Sequence, residues 1–302
     1  MMKTGKILVV GSSNTDMTVK TDHLPLPGET VLGGQFVMGQ GGKGANQAIA
    51  ATRMGGDVAF FCKVGNDVFG NNAIRYYKTE GIDISGIKYS EMPTGVALIS
   101  VDASGENCIV VASGANGDFS SEDVRCLSEK IANAGILLLQ LEIPVEVVAE
   151  IARIAYNSGV YVVLNPAPAV ELPESVFRHV SLIVPNQTEA AFYTGIDVKD
   201  EKSALAAAEK FKQMGVPDVI ITMGSSGSML YGNGVMEFVK AERVMAVDTT
   251  AAGDTYCGAL CVALSEGKSL VEAAEFATSA AALAVQRPGA QESIPFRDEI
   301  EK

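Results

Sequence analysis

Short runs of apolar residues alternate along this chain with longer segments in which apolar residues recur at helical spacing. A run that is apolar at every position suits a strand buried on both faces, as in a parallel sheet covered by helices. We predict strands at 7–10, 58–61, 136–140, 160–164, 182–184 and 219–223. We predict helices at 43–54, 121–133, 145–158, 187–194, 200–214, 254–265 and 269–285. The alternation predicts a three-layer α/β/α fold with a mostly parallel central sheet, whose ligands bind beyond the carboxyl ends of the strands.

Two stretches, 16–38 and 95–111, break this pattern because polar and apolar residues alternate in them. Such alternation is typical of strands with one exposed face, and the run from Asp102 to Gly105 is a hairpin-turn sequence. We therefore predict a small β-layer, formed by about 14–38 and 93–112, that stands off the main body. No segment resembles a linker or a repeat, so residues 1–302 are predicted to form a single domain.

The chain carries 23 Lys and Arg against 36 Asp and Glu, a formal net charge of −13. This balance argues against nucleic acid or an anionic membrane as a partner. It does not argue against ATP, because backbone N–H groups can hold phosphates inside an acidic protein. No apolar run approaches the roughly 18 residues of a membrane span, and the run 7–10 is too short for the core of a signal peptide. We therefore expect a cytoplasmic protein.

The five cysteines form no C-x-x-C pair, and we expect them to be buried and reduced. The chain has only two histidines, His23 and His179, which lie far apart in the sequence. A metal site built on histidine and a Ser-His-Asp triad are therefore both unexpected.

The run 248–258 (D-T-T-A-A-G-D-T-Y-C-G) places small residues immediately before an apolar, alanine-rich helix pattern. Asp254 would then lie in the first turn of that helix, beside backbone N–H groups that have no partner within the helix. Such a turn can bind an anion and stabilise charge on a phosphoryl group, and a carboxylate there can take a proton from an attacking hydroxyl. The alternative is that Asp254 only caps the helix.

The run 39–44 (G-Q-G-G-K-G) matches the pattern G-x-G-x-x-G, but its surroundings do not suit a dinucleotide site. That site needs a strand just before the glycines and an acidic residue closing the next strand, whereas Asp57 opens the next strand. The run is not a P-loop either, because Gly44 follows Lys43 where Ser or Thr is required. A glycine-rich helix start with Lys43 and Asn46 one turn apart suits a polyhydroxyl ligand. The alternative is a surface turn with a solvated lysine.

Further polar residues follow the predicted strands. Asn14 and Asp16 are predicted to end the first strand and to point the same way, although turn chemistry alone could explain them. Glu142 follows a very apolar run, which disfavours a plain surface role. Asn186 would cap a helix by default. The small residues of 222–227 suit a loop beside a nucleotide.

Three motifs occur in order: G-G-K-G-A-N-Q-A at 41–48, N-Q-T-E at 186–189 and D-T-T-A-A-G-D at 248–254. Together they resemble the signatures of the ribokinase-like (pfkB) carbohydrate kinases. Shorter segments at 11–16, 94–97, 165–169 and 289–291 extend the likeness over about residues 6–296. One departure is Ala251, where many members of the family have glycine.

This resemblance implies ATP-dependent phosphorylation of D-ribose at O5, with Mg²⁺ bound alongside ATP. Asp254 would be the general base, and N–H groups near Ala251, Ala252 and Gly253 would stabilise the transferring phosphoryl group. The sugar-binding residues that the family implies are Asn14, Asp16, Gly41, Gly42, Lys43, Asn46, Glu142 and Asp254. On the nucleotide side it implies Asn186 near the phosphates, Glu189 near the water shell of Mg²⁺, Thr222, Gly224, Ser225, Gly227 and Gly253 along the ATP site, and Thr278 near the adenine.

The resemblance also implies an activating K⁺ beside the anion-binding turn. Its oxygen ligands, several of them backbone carbonyls, would come from Asp248, Thr250, Ala284, Arg287, Gly289 and Ser293. The small β-layer would form a lid over the sugar and pair with the lid of a second subunit in a homodimer. Alternatives are another kinase of the family, for 2-deoxyribose, fructose or a nucleoside, and a catalytically silent sugar sensor on the same fold. The intact Asp254 and glycine turn argue against the sensor, which needs neither.

Overall fold

An eight-stranded sheet lies at the centre of the structure, a computed structural model that describes residues 5–32 and 34–301. Residues 1–4, Gly33 and Lys302 of the predicted domain lie outside the described residues. The strands are β1 (Ile7–Val10), β2 (Asn14–Lys20), β3 (Phe36–Gly41), β4 (Val58–Phe61), β5 (Lys63–Gly65), β6 (Lys88–Ser90), β7 (Gly95–Val101), β8 (Asn107–Ala112), β9 (Ile136–Leu139), β10 (Tyr161–Leu164), β11 (Leu182–Ile183), β12 (Asp218–Thr222), β13 (Gly227–Gly232) and β14 (Val235–Lys240). The helices are α1 (Lys43–Arg53), α2 (Val68–Thr79), α3 (Ser121–Asn133), α4 (Val145–Asn157), α5 (Glu174–Phe177), α6 (Gln187–Thr194), α7 (Glu201–Gln213), α8 (Ala252–Ser265), α9 (Leu270–Ala284) and α10 (Arg297–Ile300).

The central sheet has the strand order β14-β13-β12-β11-β10-β9-β1-β4. Every pairing from β12 to β4 is parallel. Only β13 is antiparallel to its neighbours, which makes an antiparallel hairpin at one edge. The sheet is therefore mostly parallel, as predicted.

Residues of each central strand alternate between two cores, one on each face of the sheet. Ile7 and Val9 of β1 pack in the core with α1, α2, α8 and α9, whereas Leu8 and Val10 pack in the core with α3, α4, α5 and α7. This two-sided burial is the reason for the continuous apolar runs in the sequence. It confirms the predicted three-layer α/β/α fold.

The structure confirms each predicted strand and helix of the main body to within two residues at either end. The prediction missed α2, whose buried residues are Gly70, Ala73 and Tyr77. It also missed the hairpin of β13 and β14. There Asn233 and Gly234 both have positive φ, the conformation that an Asn-Gly hairpin turn requires, so the sequence did contain a signal.

The strands β3, β2, β7 and β8, in that order, form a separate four-stranded sheet, which we call the small sheet. Its predicted hairpin turn is confirmed, because the N–H of Asp102 donates to the carbonyl of Glu106 at 2.9 Å. The prediction that Asn14 and Asp16 end the first strand was wrong. That strand stops at Val10, and after three residues outside any strand the chain begins β2 of the small sheet with Asn14. The two side chains still share a face, because they lie two apart in one strand.

Cys62, Cys257 and Cys261 are buried and free, as predicted, but Cys108 and Cys126 are free and exposed. The prediction failed at Cys108 because β8 is an edge strand whose six residues are all exposed. Cys126 lies on the outer surface of α3.

No helix within residues 5–32 and 34–301 is long and apolar enough to cross a membrane.

Helix α1 packs directly against α8, and this contact brings two distant parts of the sequence together. At Gly258, in the middle of α8, a Cβ atom would lie 2.6 Å from the Cβ of Ala50 and 2.8 Å from the carbonyl oxygen of Gln47. A glycine therefore allows an approach that a larger residue would prevent. The approach places Asn46 and Gln47 of α1 beside the first turn of α8.

Candidate active site

The first turn of α8 lies close to residues that follow the central strands, at the end of the sheet where ligands of this fold class bind. Ala251, just before the helix, has a φ of +59° in the left-handed region. This conformation costs an alanine about 1 kcal/mol more than a glycine. The N–H of Ala252 donates to the carbonyl of Thr249 at 3.3 Å. The N–H groups of Gly253 and Asp254 lie in the first turn, where the helix supplies no acceptor, and they can bind an anion.

Asp254 is 6% exposed, and side chains of α1 hold both of its carboxylate oxygens. Asn46 Nδ2 donates to Oδ2 at 2.9 Å, and Gln47 Nε2 donates to Oδ1 at 2.9 Å. The N-cap position of α8 belongs to Ala251, and no side chain caps this helix end. Asp254 is therefore not a helix cap, which was the alternative left open by the sequence.

Lys43 lies among three acidic side chains at the start of α1. Its pKa is raised chiefly by the negative charge of Asp254, which outweighs the effect of burial, and further by Glu142 and Glu189. Glu142 is fixed in place because its Oε2 accepts from the backbone N–H of Lys43 at 2.9 Å and from the hydroxyl of Ser12 at 2.5 Å. The arrangement gives one cation surrounded by carboxylates, which suits the binding of a hydroxylated or phosphorylated molecule.

Asn14 and Asp16 face the same region from β2. Asn14 Oδ1 accepts from Asn116 Nδ2 at 2.7 Å, and its own Nδ2 has no partner among the described residues. A Cβ atom at Gly41 would lie 2.1 Å from Asp16 Oδ2, so the glycine makes room for this carboxylate. Gly42, which has a φ of +89°, lets the backbone of Asn14 pass close to the start of α1. The structure thus brings the predicted sugar-binding residues together.

Burial, and after it the negative charges of Glu142, Glu292 and Asp254, together raise the pKa of Asp16 to about 6. The cause is the removal of a carboxylate from water into a region that already carries negative charge. Keeping the carboxylate of Asp16 ionised therefore costs free energy. A ligand whose hydroxyl groups donate hydrogen bonds to this carboxylate would offset the cost.

The residues predicted for the nucleotide side follow β11 and β12. Asn186 caps α6 and forms a capping box with Glu189, whose oxygens accept from the Asn186 N–H at 2.8 Å and Nδ2 at 2.9 Å. Burial raises the pKa of Glu189, while the Asn186 hydrogen bond and Lys43 oppose this rise. Asn186 also pairs with Thr222 in an isolated parallel bridge. The backbone after β11 therefore lies beside the end of the neighbouring parallel strand β12.

The loop after β12 contains Gly224 and Ser225 in a short 3₁₀ turn, and β13 begins at Gly227. Thr278 lies apart from this loop on α9, where its hydroxyl donates to the carbonyl of Ala274 in its own helix. It lines an open cavity of about 250 Å³ together with residues of β14, among them Val239 and Lys240.

The residues predicted to hold K⁺ come from two segments that lie side by side. The N–H groups of Val247 and Asp248 both donate to the carbonyl of Val285, and Asp248 Oδ2 accepts from the N–H of Gly289 at 3.0 Å. Asp248 Oδ1 accepts from the N–H and hydroxyl of Thr250. Burial would raise the pKa of Asp248, but these hydrogen bonds outweigh it and the pKa is lowered.

Among the other four predicted K⁺ ligands, the side chains of Arg287 and Ser293 already engage nearby groups. The Arg287 guanidinium pairs with Glu299, so Arg287 could contribute only its carbonyl oxygen to a cation site. The Ser293 hydroxyl donates to the carbonyl of Ala290 at 2.8 Å. The two segments thus bring the carboxylate of Asp248 beside the backbone of 285–289, and oxygen ligands of this kind suit hard cations.

Four buried amide residues of the site were not assigned a role from the sequence: Gln47, Gln140, Asn165 and Gln291. Gln47 donates to Asn165 Oδ1 and accepts from Gln140, while Gln291 donates to Asn46 Oδ1. Three of them lie in the motif segments 41–48, 165–169 and 289–291, which was the available signal. The sequence could not reveal their partners, because every bond joins residues more than 90 positions apart.

Residues 4–297 match the family model for pfkB family carbohydrate kinases. The chain belongs to this family. This pfkB-family kinase is similar to the ribokinase of Haemophilus influenzae, with 44% identity over 97% of this chain and 96% of that protein. The structure of the Arabidopsis thaliana ribokinase complexed with ribose and ATP superimposes with a TM-score of 0.91, at 32% identity, covering 99% of this chain and 98% of that one. A deoxyribokinase of Salmonella typhi is 36% identical over 96% of this chain and 95% of its own length.

The raised pKa of Asp16 predicts how this pfkB-family kinase responds to pH. Between about pH 4 and pH 6 the folded protein keeps a proton on Asp16 that the unfolded chain has released, so this group removes stability as the pH rises through the window. We expect Asp16→Asn to raise the unfolding free energy of the ligand-free protein at pH 8 by up to about 3 kcal/mol. The gain should be nearly absent at pH 4.

Chemical unfolding at both pH values measures this difference. The exposed carboxyl of Asp22, at the end of the same segment, provides a control, and Asp22→Asn should change stability by less than about 0.5 kcal/mol at either pH. An equal effect of Asp16→Asn at pH 4 and pH 8 would show that the carboxyl of Asp16 is not strained by burial.

Proposed function

We propose that this kinase transfers the γ-phosphoryl group of ATP to O5 of D-ribose, giving ribose 5-phosphate and ADP. The family membership and the relatives named above support a ribose-phosphorylating kinase. The observation that carries the mechanism is the position of Asp254. It is a buried carboxylate in the first turn of a helix, held by two amide donors, with unpaired N–H groups beside it.

In the proposed mechanism Asp254 accepts the proton of the 5-hydroxyl as that oxygen attacks the γ-phosphorus. The N–H groups at the start of α8, near Ala251, Ala252 and Gly253, stabilise the charge on the transferring group. Phosphoryl transfer depends mainly on such positioning and electrostatics, since the protein itself forms no covalent intermediate. Lys43, which stays protonated beside Asp254, adds a positive charge at the same place.

The sugar is proposed to bind between β2 and the start of α1. Asn14, Asp16 and Glu142 supply acceptors and donors for its hydroxyls, and Gly41 and Gly42 allow its ring to approach the backbone. Asn46 takes part with the amide hydrogen and the lone pair that its bonds to Asp254 and Gln291 leave free.

ATP is proposed to bind along the loop at Thr222, Gly224, Ser225 and Gly227, with its phosphates toward Asn186. Mg²⁺ bound to a nucleotide keeps several water ligands and needs only one or two carboxylates from the protein. Glu189 fits this outer role because both of its oxygens already accept from Asn186. Thr278 is proposed at the adenine end, where α9 and β14 border an open cavity.

Replacement of Asp254 tests the proposed base. We expect Asp254→Asn to lower kcat by a factor of about 10² to 10⁴ while ribose and ATP binding stay nearly unchanged, because only proton acceptance is lost. Asp218→Asn is the matched control, since Asp218 is also a buried carboxyl with amide donors but lies at the start of β12, at the opposite end of the sheet. Phosphorylation by Asp254→Asn at more than about a tenth of the parent rate would rule out the base assignment.

K⁺ is proposed to bind at the Asp248 turn. A cation coordinated by Asp248, Thr250 and carbonyl oxygens of 284–293 would hold that segment against the backbone that leads into the anion-binding turn. The lowered pKa of Asp248 supports this role, because the carboxylate is ionised at neutral pH.

We expect kcat to rise severalfold when K⁺ replaces Na⁺ or Tris as the monovalent cation at equal ionic strength, because the bound ion orders the backbone before Gly253. Asp248→Ala should remove this dependence. Steady-state kinetics in KCl and in alkali-free buffer measure the effect. Equal kcat and KM values in the two media would contradict the cation site.

Ribose and 2-deoxyribose differ at one hydroxyl, the 2-hydroxyl. Asn14 is proposed to form a hydrogen bond with it. Its Nδ2 is a donor without a partner among the described residues, while Asn116 holds its Oδ1. A polar group left unpaired when the hydroxyl is missing costs about 1–3 kcal/mol. The parent protein should therefore prefer ribose.

We expect Asn14→Met to narrow the preference for ribose, mainly by lowering kcat/KM for ribose. The measurement is kcat/KM for both sugars in the parent and the variant. If the ratio changes by less than about twofold between the two proteins, Asn14 does not read the 2-hydroxyl, and 2-deoxyribose becomes the stronger alternative.

The small sheet is proposed to act as a lid over the sugar and as a dimer interface. Asp16 lies on one of its faces. The paired residues Met38, Met17, Leu98 and Val110 form a row across the other face. Leu98 is 53% exposed and Val110 62% exposed, and such an apolar surface is typical of an interface. A second copy of the same sheet is the proposed occupant, because the β8 edge and this face would pair symmetrically.

We expect the parent protein to sediment as a dimer at micromolar concentration and Leu98→Lys to sediment as a monomer, because the charge would be buried at the interface. Met236→Lys is the control, since Met236 is equally exposed on β14 of the other sheet. A parent protein that sediments as a monomer contradicts the dimer.

As an ATP-consuming enzyme with five free cysteines, the protein is proposed to work in the cytoplasm.

A further inference from the structure

We propose that Gln47 is a positioning residue for the general base, because the direction of its hydrogen bond to Oδ1 of Asp254 is fixed. This inference rests on the role proposed above for Asp254. Gln47 itself is fully buried, so it acts through Asp254 and not by touching the sugar.

The contacts of Gln47 use its whole amide group. Its Nε2 donates to Asp254 Oδ1 at 2.9 Å and to Asn165 Oδ1 at 3.0 Å. Its Oε1 accepts from Gln140 Nε2 at 2.6 Å. One side chain therefore links α8 to residues that follow two central strands, β9 and β10.

The direction of these bonds is set at the sheet. Asn165 Nδ2 donates to the backbone carbonyl of Val184 at 2.8 Å, and a carbonyl can only accept. Asn165 must therefore turn its oxygen toward Gln47, and Gln47 must turn its NH₂ group toward Asn165. The second hydrogen of that NH₂ group then points at Asp254, whose Oδ1 can only accept.

This fixed direction has a chemical consequence for the base. Asp254 Oδ1 faces a donor that cannot rotate into an acceptor without breaking the bonds to Asn165 and Gln140. A proton on Oδ1 would point at the hydrogens of the Gln47 NH₂ group and repel them. Oδ1 therefore stays an acceptor, and the plane of the carboxylate is fixed. Asn46 Nδ2 likewise donates to the other oxygen of Asp254, Oδ2. Gln291 orients the Asn46 amide because its Nε2 donates to Asn46 Oδ1. The lone pairs that remain are those available to the attacking hydroxyl.

Loss of this orientation should lower the rate and not the binding of substrates. A misplacement of about 1 Å in a catalytic group can cost up to about 10²-fold in rate. We therefore expect Gln47→Met, which keeps the side-chain volume but removes both amide functions, to lower kcat by about 10- to 100-fold. The KM values for ribose and ATP should change by less than about threefold. Gln47→Glu keeps the acceptor for Gln140 but faces Asp254 with an oxygen, and it should lower kcat at least as much.

A double-mutant cycle separates positioning from a general loss of structure. In the Asp254→Asn background there is no base to position, so Gln47→Met should change the residual kcat by less than about twofold. Asp218→Asn serves as the control for the loss of a buried polar partner far from the site, and it should lower the unfolding free energy while leaving kcat within about twofold. Unfolding and ribose-binding measurements accompany each variant, and Gln47→Glu decides the question if Gln47→Met does not fold.

Three outcomes would overturn the inference: kcat within twofold of the parent in both Gln47 variants, an equal loss of kcat in the Asp254→Asn background, or a rise in ribose KM without a loss of kcat. The failure of the proposed base looks different, because Asp254→Asn would then itself retain activity. If Asp254→Asn is inactive while both Gln47 variants keep the parent kcat, only the positioning role of Gln47 is lost.

Discussion

The close packing of α1 against α8 is the contact on which the site depends. Gly258 contributes no side chain to this contact, so that Asn46 and Gln47 reach the carboxylate of Asp254 with normal hydrogen-bond distances. A larger residue there would push the helices apart, because protein interiors have little free volume to absorb it. The distance between the proposed sugar-binding residues and the proposed base is thus set by backbone contact between two helices, which is more rigid than a contact between loops.

Several carboxylates lie close together at the site, an arrangement that a protein would avoid unless its function required it. Asp16, Glu142 and Asp254 lie close enough to influence one another, and Lys43 is the cation among them. Burial first and these negative charges second raise the pKa of Asp16, so its ionised carboxylate is unfavourable in the ligand-free protein. A strained site of this kind is typical of a protein that exchanges some stability for binding, since sugar hydroxyls can satisfy acceptors that no protein group reaches.

The sequence predicted the main body well because each central strand is buried on both faces, and that burial leaves a continuous apolar run such as 7–10. It failed where burial is partial or the fold changes direction. Asn14 and Asp16 were wrongly placed at the end of the first strand, because the small residues at 11–13 mark a turn but do not show that the chain then enters a second sheet. Helix α2 was missed, and only three of its residues, Gly70, Ala73 and Tyr77, are buried. Cys108 was expected inside because free cysteines are usually buried, but it lies on an exposed edge strand.

The sequence by itself determined the fold class and the family, because these depend on local patterns and on motifs within a few residues of each other. It also predicted several residues that the structure brings near Asp254. It could not determine which side chains hold Asp254. Gln47, Asn165 and Gln140 meet only when α1 lies on α8 and β9 lies beside β10, and their amides look alike in any sequence. The direction of their hydrogen bonds was decided by a single backbone carbonyl, at Val184, whose position only the tertiary structure fixes.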